Sequence, residues 1–327
     1  MNIAKNTSVQ DPFACTAIAW SPDGTLIAGA DNRGTVGLWN AATLARIWAV
    51  NDTSVTWVNA LAFDPESPLL WVGRKTIVSL ELTKGKKTAA AFKGHKAAPR
   101  GMSLTDSVLV SGGGSTTESD DCFLRFWGRK DQAEIGKVKM PTYEMKWASG
   151  ATKSYAAGIG AVAISADGKL CAAGCDDGKI RLFGMADRVA GQEIDFGGSV
   201  KDVVFGKGNA LFATGATSVA PLAGTIRIYD ASGALKQTLA GSGTEGSGYK
   251  GEALALSPDG KLLASARTTS DEKKDIDEHR VHIWNTATWK EEQSFTLSSY
   301  VHDVAFSPDG ERLLMGGTFG LEVGNFA

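Results

Sequence analysis

The residues with the most chemistry in this sequence are four histidines, four cysteines and a few adjacent acids. Cys171 and Cys175 stand four apart around Ala-Ala-Gly, a spacing that invites a metal. A closed zinc site needs four ligands, and no histidine follows at ligand spacing, so the pair reads as packed thiols. Cys122 begins another strand-like run and reads the same way. Asp120 and Asp121 form a carboxylate pair that solvation of a loop explains as well as acid–base work does. His95, His279, His282 and His302 are spread over the chain without a nucleophile motif beside them. No GxSxG elbow, HExxH helix, Walker loop or dinucleotide fingerprint occurs. The sequence assigns no catalytic residue, no cofactor and no metal ligand. An active site assembled from distant loops needs no such motif, so an enzyme with its site at the mouth of a ring stays open.

Those side chains must be positioned by something, and composition limits what. The chain has 327 residues, a formal charge of -2, 39 glycines and nine tryptophans. The near-neutral balance disfavours a general polyanion binder. Turn-formers mixed with large apolar groups suggest many short strands. No apolar run reaches the roughly 20 residues of a membrane helix. The opening MNIAKNTSVQDPFA has no signal-peptide core, and four irregularly spaced cysteines are no disulfide framework. Free thiols in a reducing, cytoplasmic setting are the expectation.

The strands repeat. AIAWSPDGTLIAGADNRGTVGLWN at 17–40 recurs as VAISADGKLCAAGCDDGKIRLFG at 162–184, and SPDG returns at 257–260 and 307–310. Each copy alternates apolar and polar residues, turns at Asp-Gly, then alternates again, which is a hairpin. A third alternating segment follows, ending in Trp39, Trp127, Phe183, Tyr229 or Trp284. A weaker fourth completes the unit. Seven units are found, with first-strand anchors at Trp20, Phe63, Met102, Ile164, Phe205, Leu256 and Phe306. Units of about 40 residues with four strands predict an all-β, seven-bladed β-propeller of four-stranded antiparallel blades, one domain over 1–327.

The repeats resemble the WD40 family over essentially the whole chain, and the SPDG and SADG turns resemble those of bacterial, stand-alone members. Gly94-His95, Ser111, Asp121 and Trp127 are similar to the full family signature. The resemblance implies that these four side chains form a hydrogen-bonded structural network in blade three. Arg33 stands where blade one would place the Asp. The last unit has no residues left for a fourth strand, so residues 1–16, near Asn2–Thr7, are predicted to close blade seven, as the family commonly does.

Blades differ where length has been added. Anchor to third-strand aromatic is 19 residues in blade one (Trp20 to Trp39) and in blade four (Ile164 to Phe183). Blade three takes 25 from Met102, blade five 24 and blade six 28, while blade seven takes 20 if Phe326 is the equivalent residue. A further insertion, KVKMPTYEMKWASGATKSY, separates blades three and four. In an up-and-down blade all these connections emerge on one face. The charged run from Asp271 to Glu278 is therefore expected as a solvated loop on that rim, replaceable at little cost in stability.

On this face Trp57 and Tyr300 each lie six residues before an anchor, and Tyr249 seven before Leu256. Tyr143, Trp147 and Tyr155 sit in the added segment, and Arg267, Asp271 and Asp275 in or beside the charged run. Arg100, Lys201 and His302 are placed to face a central channel, where they would attract acidic groups or phosphate. They come singly, with Asp202 and Asp303 beside two of them, which is no nucleic-acid footprint. These twelve residues are the candidate interaction surface. The leading expectation is a non-catalytic, monomeric scaffold binding a protein or peptide of basic or mixed charge. A small-molecule or nucleic-acid module and the enzyme above are the alternatives.

Overall fold

The turn sequences show why the hairpins form. In a computed structural model, the Ser21 hydroxyl donates to Asp23 Oδ1 (2.6 Å) and accepts the Leu26 N–H (2.9 Å). The same pair of bonds recurs at Ser165–Asp167 with Leu170 and at Ser257–Asp259 with Leu262. Ser307 repeats them with Asp309 and with the Arg312 N–H. The glycine closing each turn is left-handed, with φ from +67° to +75° at Gly24, Gly168, Gly260 and Gly310. Only glycine adopts that region without strain, which is why the motif ends in Asp-Gly.

The structure describes residues 3–10, 12–52, 57–115, 119–146, 150–216, 226–240, 248–271 and 276–326. They form seven antiparallel blades of four strands each, and one extra hairpin, Thr142–Lys146 with Thr152–Ala156, lies between blades three and four. Blades five and six are joined by a single backbone bridge, Ala216 to Lys250, on the insertion-bearing rim. In every blade but the seventh the strands run in chain order from the axis outward. Blade seven takes its outer strand from Ile3–Ser8, which pairs antiparallel with Gly320–Phe326. The first strand of the chain thus closes the last blade.

Apolar side chains between adjacent blades make the core. Trp39 and Trp127, at equivalent third-strand positions, and Trp71, on a second strand, are fully buried, and Phe92 packs between Trp71 and Trp127 in one seam. The closing seam is also polar: Trp20 Nε1 donates to Ala305 O (3.0 Å), and the Arg312 guanidinium lies 4.6 Å over the Trp20 ring. Sheets with two apolar faces are stable only when each is covered in this way.

Register corrects three of the sequence expectations. The second-strand partners of the anchors are Ile27, Leu70, Cys171, Leu211, Leu263 and Leu313. In blade three the residue in that position is Leu104, paired with Leu109, and not Met102. At the other end, Gly324 and not Phe326 stands opposite Leu313, where Trp39 stands opposite Ile27. The charged run of blade six is the third correction. Leu262–Asp271 and Ile276–Asn285 are ten-residue strands, paired through to Asp271 opposite Ile276. Arg267, Thr268, Thr269 and His279 are buried, and Thr268 Oγ1 lies 3.1 Å from His279 Nδ1. Residues 266–271 and 276–279 are therefore strand rather than loop, and residues 272–275, at the tip of the run, lie outside the described residues.

Candidate functional site

In six of the seven blades the inner strand turns one residue toward the axis by a related irregularity. The ladder skips Gly160, Lys201, Glu252 and His302, each flanked by paired neighbours. This is a bulge, which re-aims a side chain that regular pairing would commit to the pleat. In blades one and three, the Thr16 and Arg100 N–H groups reach Ala30 O and Gly112 O, on the residues already opposite Ala17 and Gly101. With Asn59 of blade two these positions form a ring of seven, each four residues before its corrected anchor. All seven line a cavity of ≈ 970 Å³. The next residue of each blade forms a second ring, small in five cases: Ala17, Ala60, Gly101, Ala161 and Ala253. A Cβ on Gly101 would come within 2.6 Å of the Val162 backbone nitrogen, so the inner strands leave no room for more there.

The two exceptions in the second ring are Asp202 and Asp303. Asp202 Oδ2 accepts the Leu254 N–H of blade six (2.7 Å), and Asp303 Oδ2 accepts the Ile18 N–H of blade one (3.0 Å). Each carboxyl ties its blade to the next through the same backbone position. Burial pushes both up to about 7, against the pull of those N–H donors, and the Asp202 charge adds to the effect on Asp303. Both side chains face the cavity and are half-buried there, so water in the cavity opposes that rise. Burial lowers His302 despite Glu252 nearby, so its imidazole is neutral at pH 7.

The cavity opens among connections of the insertion-bearing face, with Trp57, Lys75, Lys96 and Ser115 at its rim. Trp57 is 55 % exposed and sits at φ +68°, a strained conformation for a bulky residue. Its backbone N–H is held by Asn32 O at 3.1 Å. Strained backbone gathers at ligand clamps and active sites, and of the six non-glycine residues with positive φ among the described residues Trp57 is the one that lines this cavity.

Of the residues singled out from sequence, Trp57, Arg100, Lys201 and His302 gather at this cavity. Tyr300 stands behind it, half-buried, with its ring 4.3 Å from His279 and stacked on His302 at 6.4 Å. Arg100 is engaged, its guanidinium 2.8 Å from Asp176 of blade four. Tyr143 and Tyr155 are a cross-strand pair on the extra hairpin and do not line the cavity. The Tyr143 hydroxyl is buried against the core between blades three and four. Arg267, at 6 % exposure, is inside the protein and cannot serve as contact surface. Tyr249 and Asp271 lie on described strands, but their side chains, like all of Trp147 and Asp275, fall outside the described residues. Sequence reading missed Thr16, Asn59 and Glu252. Counting back four from every anchor would have found them.

Blade three carries its own buried network. His95 Nδ1 is 2.9 Å from Asp121 Oδ2 and His95 Nε2 is 2.7 Å from Ser111 Oγ, which accepts Trp127 Nε1–H at 2.8 Å. Asp121 also accepts the Lys96 and Ala97 N–H groups. Burial alone would raise its carboxyl, yet these donors hold it below the usual range. Because the Asp121 carboxylate can only accept, His95 Nδ1 carries a proton, and in the Nδ1–H tautomer the Ser111 hydroxyl donates to Nε2. In blade one Asp31, rather than a residue at position 33, serves the turn by accepting the Arg33 and Thr35 N–H groups.

Residues 7–40 and 150–183 match the family described as WD domain, G-beta repeat. The chain is a WD40-repeat, seven-bladed propeller. No curated protein sequence matches it. The two matched segments begin on the insertion-bearing rim and each runs into the third strand of a WD40 blade, blade one and blade four.

Proposed function

We propose that this WD40 propeller is a non-catalytic scaffold that receives a segment of a partner protein at the cavity mouth. Protein-interaction scaffolding is the general role consistent with the fold and the family. The observation that carries the more specific reading is Trp57: a large apolar ring, more than half exposed, held in a strained backbone at the rim of a ≈ 970 Å³ cavity. Such a residue supplies wide contact area at small rotamer cost and fits the role of a hot-spot anchor. The extended blade-six strands and the hairpin Thr142–Lys146 with Thr152–Ala156 belong to connections of the same face.

Among the described residues, no three His, Cys, Asp or Glu side chains gather as a metal site. The test is quantitative capture from a native-source lysate with immobilised wild type and Trp57→Ala, read by mass spectrometry. Proteins retained by wild type and lost at least about tenfold on Trp57→Ala support the reading. An identical retained set on both forms sinks it.

A further inference from the structure

The reading that a partner segment enters the cavity leaves its chemistry open, and the upper ring narrows it. Thr16, Asn59 and Gly160 carry no charge. Arg100 is already paired with Asp176 and also reaches Gly114 O. Burial keeps His302 neutral at pH 7. Two formal charges remain, Lys201 on blade five and Glu252 on blade six, at equivalent bulge positions of adjacent inner strands. Neither has an ion-pair partner among the described residues, and they do not pair with each other. The carboxyl beside Lys201, Asp202, is turned onto backbone N–H groups of its own blade and the next.

Two half-buried charges of opposite sign, neither held in an ion pair, stand on one wall of the cavity, and each is available to a ligand group of the other sign. Low-dielectric walls strengthen each field, so a ligand of a single sign gains at one residue and loses at the other. An acid-only segment would meet Glu252, and a base-only segment would meet Lys201 with Lys75 at the rim. From this geometry we infer that the entering segment is a mixed-charge peptide, presenting an acidic side chain to Lys201 and a basic one to Glu252. The pairing sets register as well as attraction, because reversing the two charges along the segment brings like charges together.

The test uses the full chain and peptides selected on it. A random dodecapeptide phage library is panned on immobilised wild type, and the enriched peptides are synthesised with a fluorophore. Their affinities are read by anisotropy against wild type, Trp57→Ala and the double variant Lys201→Glu/Glu252→Lys, which keeps the net charge. Enriched peptides should carry both signs at a fixed separation. The double variant should weaken them at least about tenfold, the loss of one charge-assisted hydrogen bond or more. Peptides resynthesised with their two charges exchanged should recover binding to the double variant, an outcome that misfolding cannot produce. Should the double variant fail to fold, Lys201→Gln and Glu252→Gln replace it, each expected to tolerate loss of only its own partner charge. Peptides that need Trp57 but are uncharged or of one sign, or that ignore the charge exchange, overturn this inference and leave the scaffold reading standing. Peptides indifferent to Trp57→Ala, or no enrichment at all, overturn both.

Discussion

Replacing Ser111 by alanine tests the buried network of blade three, with Ser265 of blade six as its internal control. Ser111 Oγ donates to His95 Nε2 and accepts Trp127 Nε1–H, and all three residues are buried. Ser111→Ala therefore strands one acceptor and one donor away from water. Ser265 Oγ accepts only Trp284 Nε1–H, at 3.0 Å, among the described residues. A buried polar group left unpaired costs about 1–3 kcal/mol. Ser111→Ala is then worth about 2–6 kcal/mol, its lower end reached if water enters the vacated volume, and Ser265→Ala about half as much. Unfolding entropy of about 2.1 cal/mol/K per residue makes each 3 kcal/mol roughly 4 °C in a chain this long. The expected thermal shifts are thus about 3–8 °C for Ser111→Ala and half that for Ser265→Ala, read by differential scanning calorimetry at one scan rate. Equal shifts, or a larger one for Ser265→Ala, would refute the view that the doubly engaged hydroxyl organises the blade.

Deleting residues 1–10 should lower the thermal midpoint markedly, because it unpairs Gly320–Phe326 along its whole length; an unchanged midpoint would contradict the closure. Asp202 and Asp303 are raised from 3.8 to about 7 in the fold, so their contribution is complete below about pH 4 and is lost as pH rises through about 7. The midpoint should fall between pH 5 and pH 8, and Asp303→Asn should flatten that slope; a midpoint that climbs over this range speaks against it. Trp57→Gly should keep or slightly raise the midpoint, since glycine tolerates φ +68°, while abolishing partner capture. Replacing Asp271–Glu278 by a Gly/Ser turn removes three strand pairs and should now lower the midpoint measurably, which the same calorimetry checks.

The ring of seven was legible because turn chemistry and alternation agree in most units. The two slips in register were both of two residues, and that size is no accident. Blade three turns between Leu104 and Leu109, two residues tighter than Trp20 to Ile27, and has no Pro-Asp-Gly to mark it. A slip of two leaves every side chain on its face, so alternation cannot report it. Phe326 displaced Gly324 for the same reason, aided by its aromatic ring. Blade six misled differently. Thr268, Thr269 and His279 are buried while polar, and a reading that equates polar with solvated has no signal for strands that satisfy their own side chains. The funnel was only half legible: Lys201 and His302 drew attention by charge, whereas Asn59, Thr16 and the small second ring become meaningful once register aligns them.

The pairing of Ile3 with Phe326 has a consequence for how the molecule is made and how it comes apart. A ribosome finishes residues 3–8 long before their partner exists, so that segment must wait, edge-competent and unsatisfied, through the synthesis of six blades. Closing a loop of this size carries an entropic toll of about 5 kcal/mol, on a logarithmic scale that forgives further insertions. Ring closure is thus the slow, late event, and a chain stalled before residue 320 exposes an open blade face to its neighbours. Once closed, residues 3 and 326 lie at the same end of one ladder. Tension applied between them peels the seam one backbone pair at a time instead of shearing all pairs together. The ring that is hardest to shut is, pulled from there, the easiest to unzip.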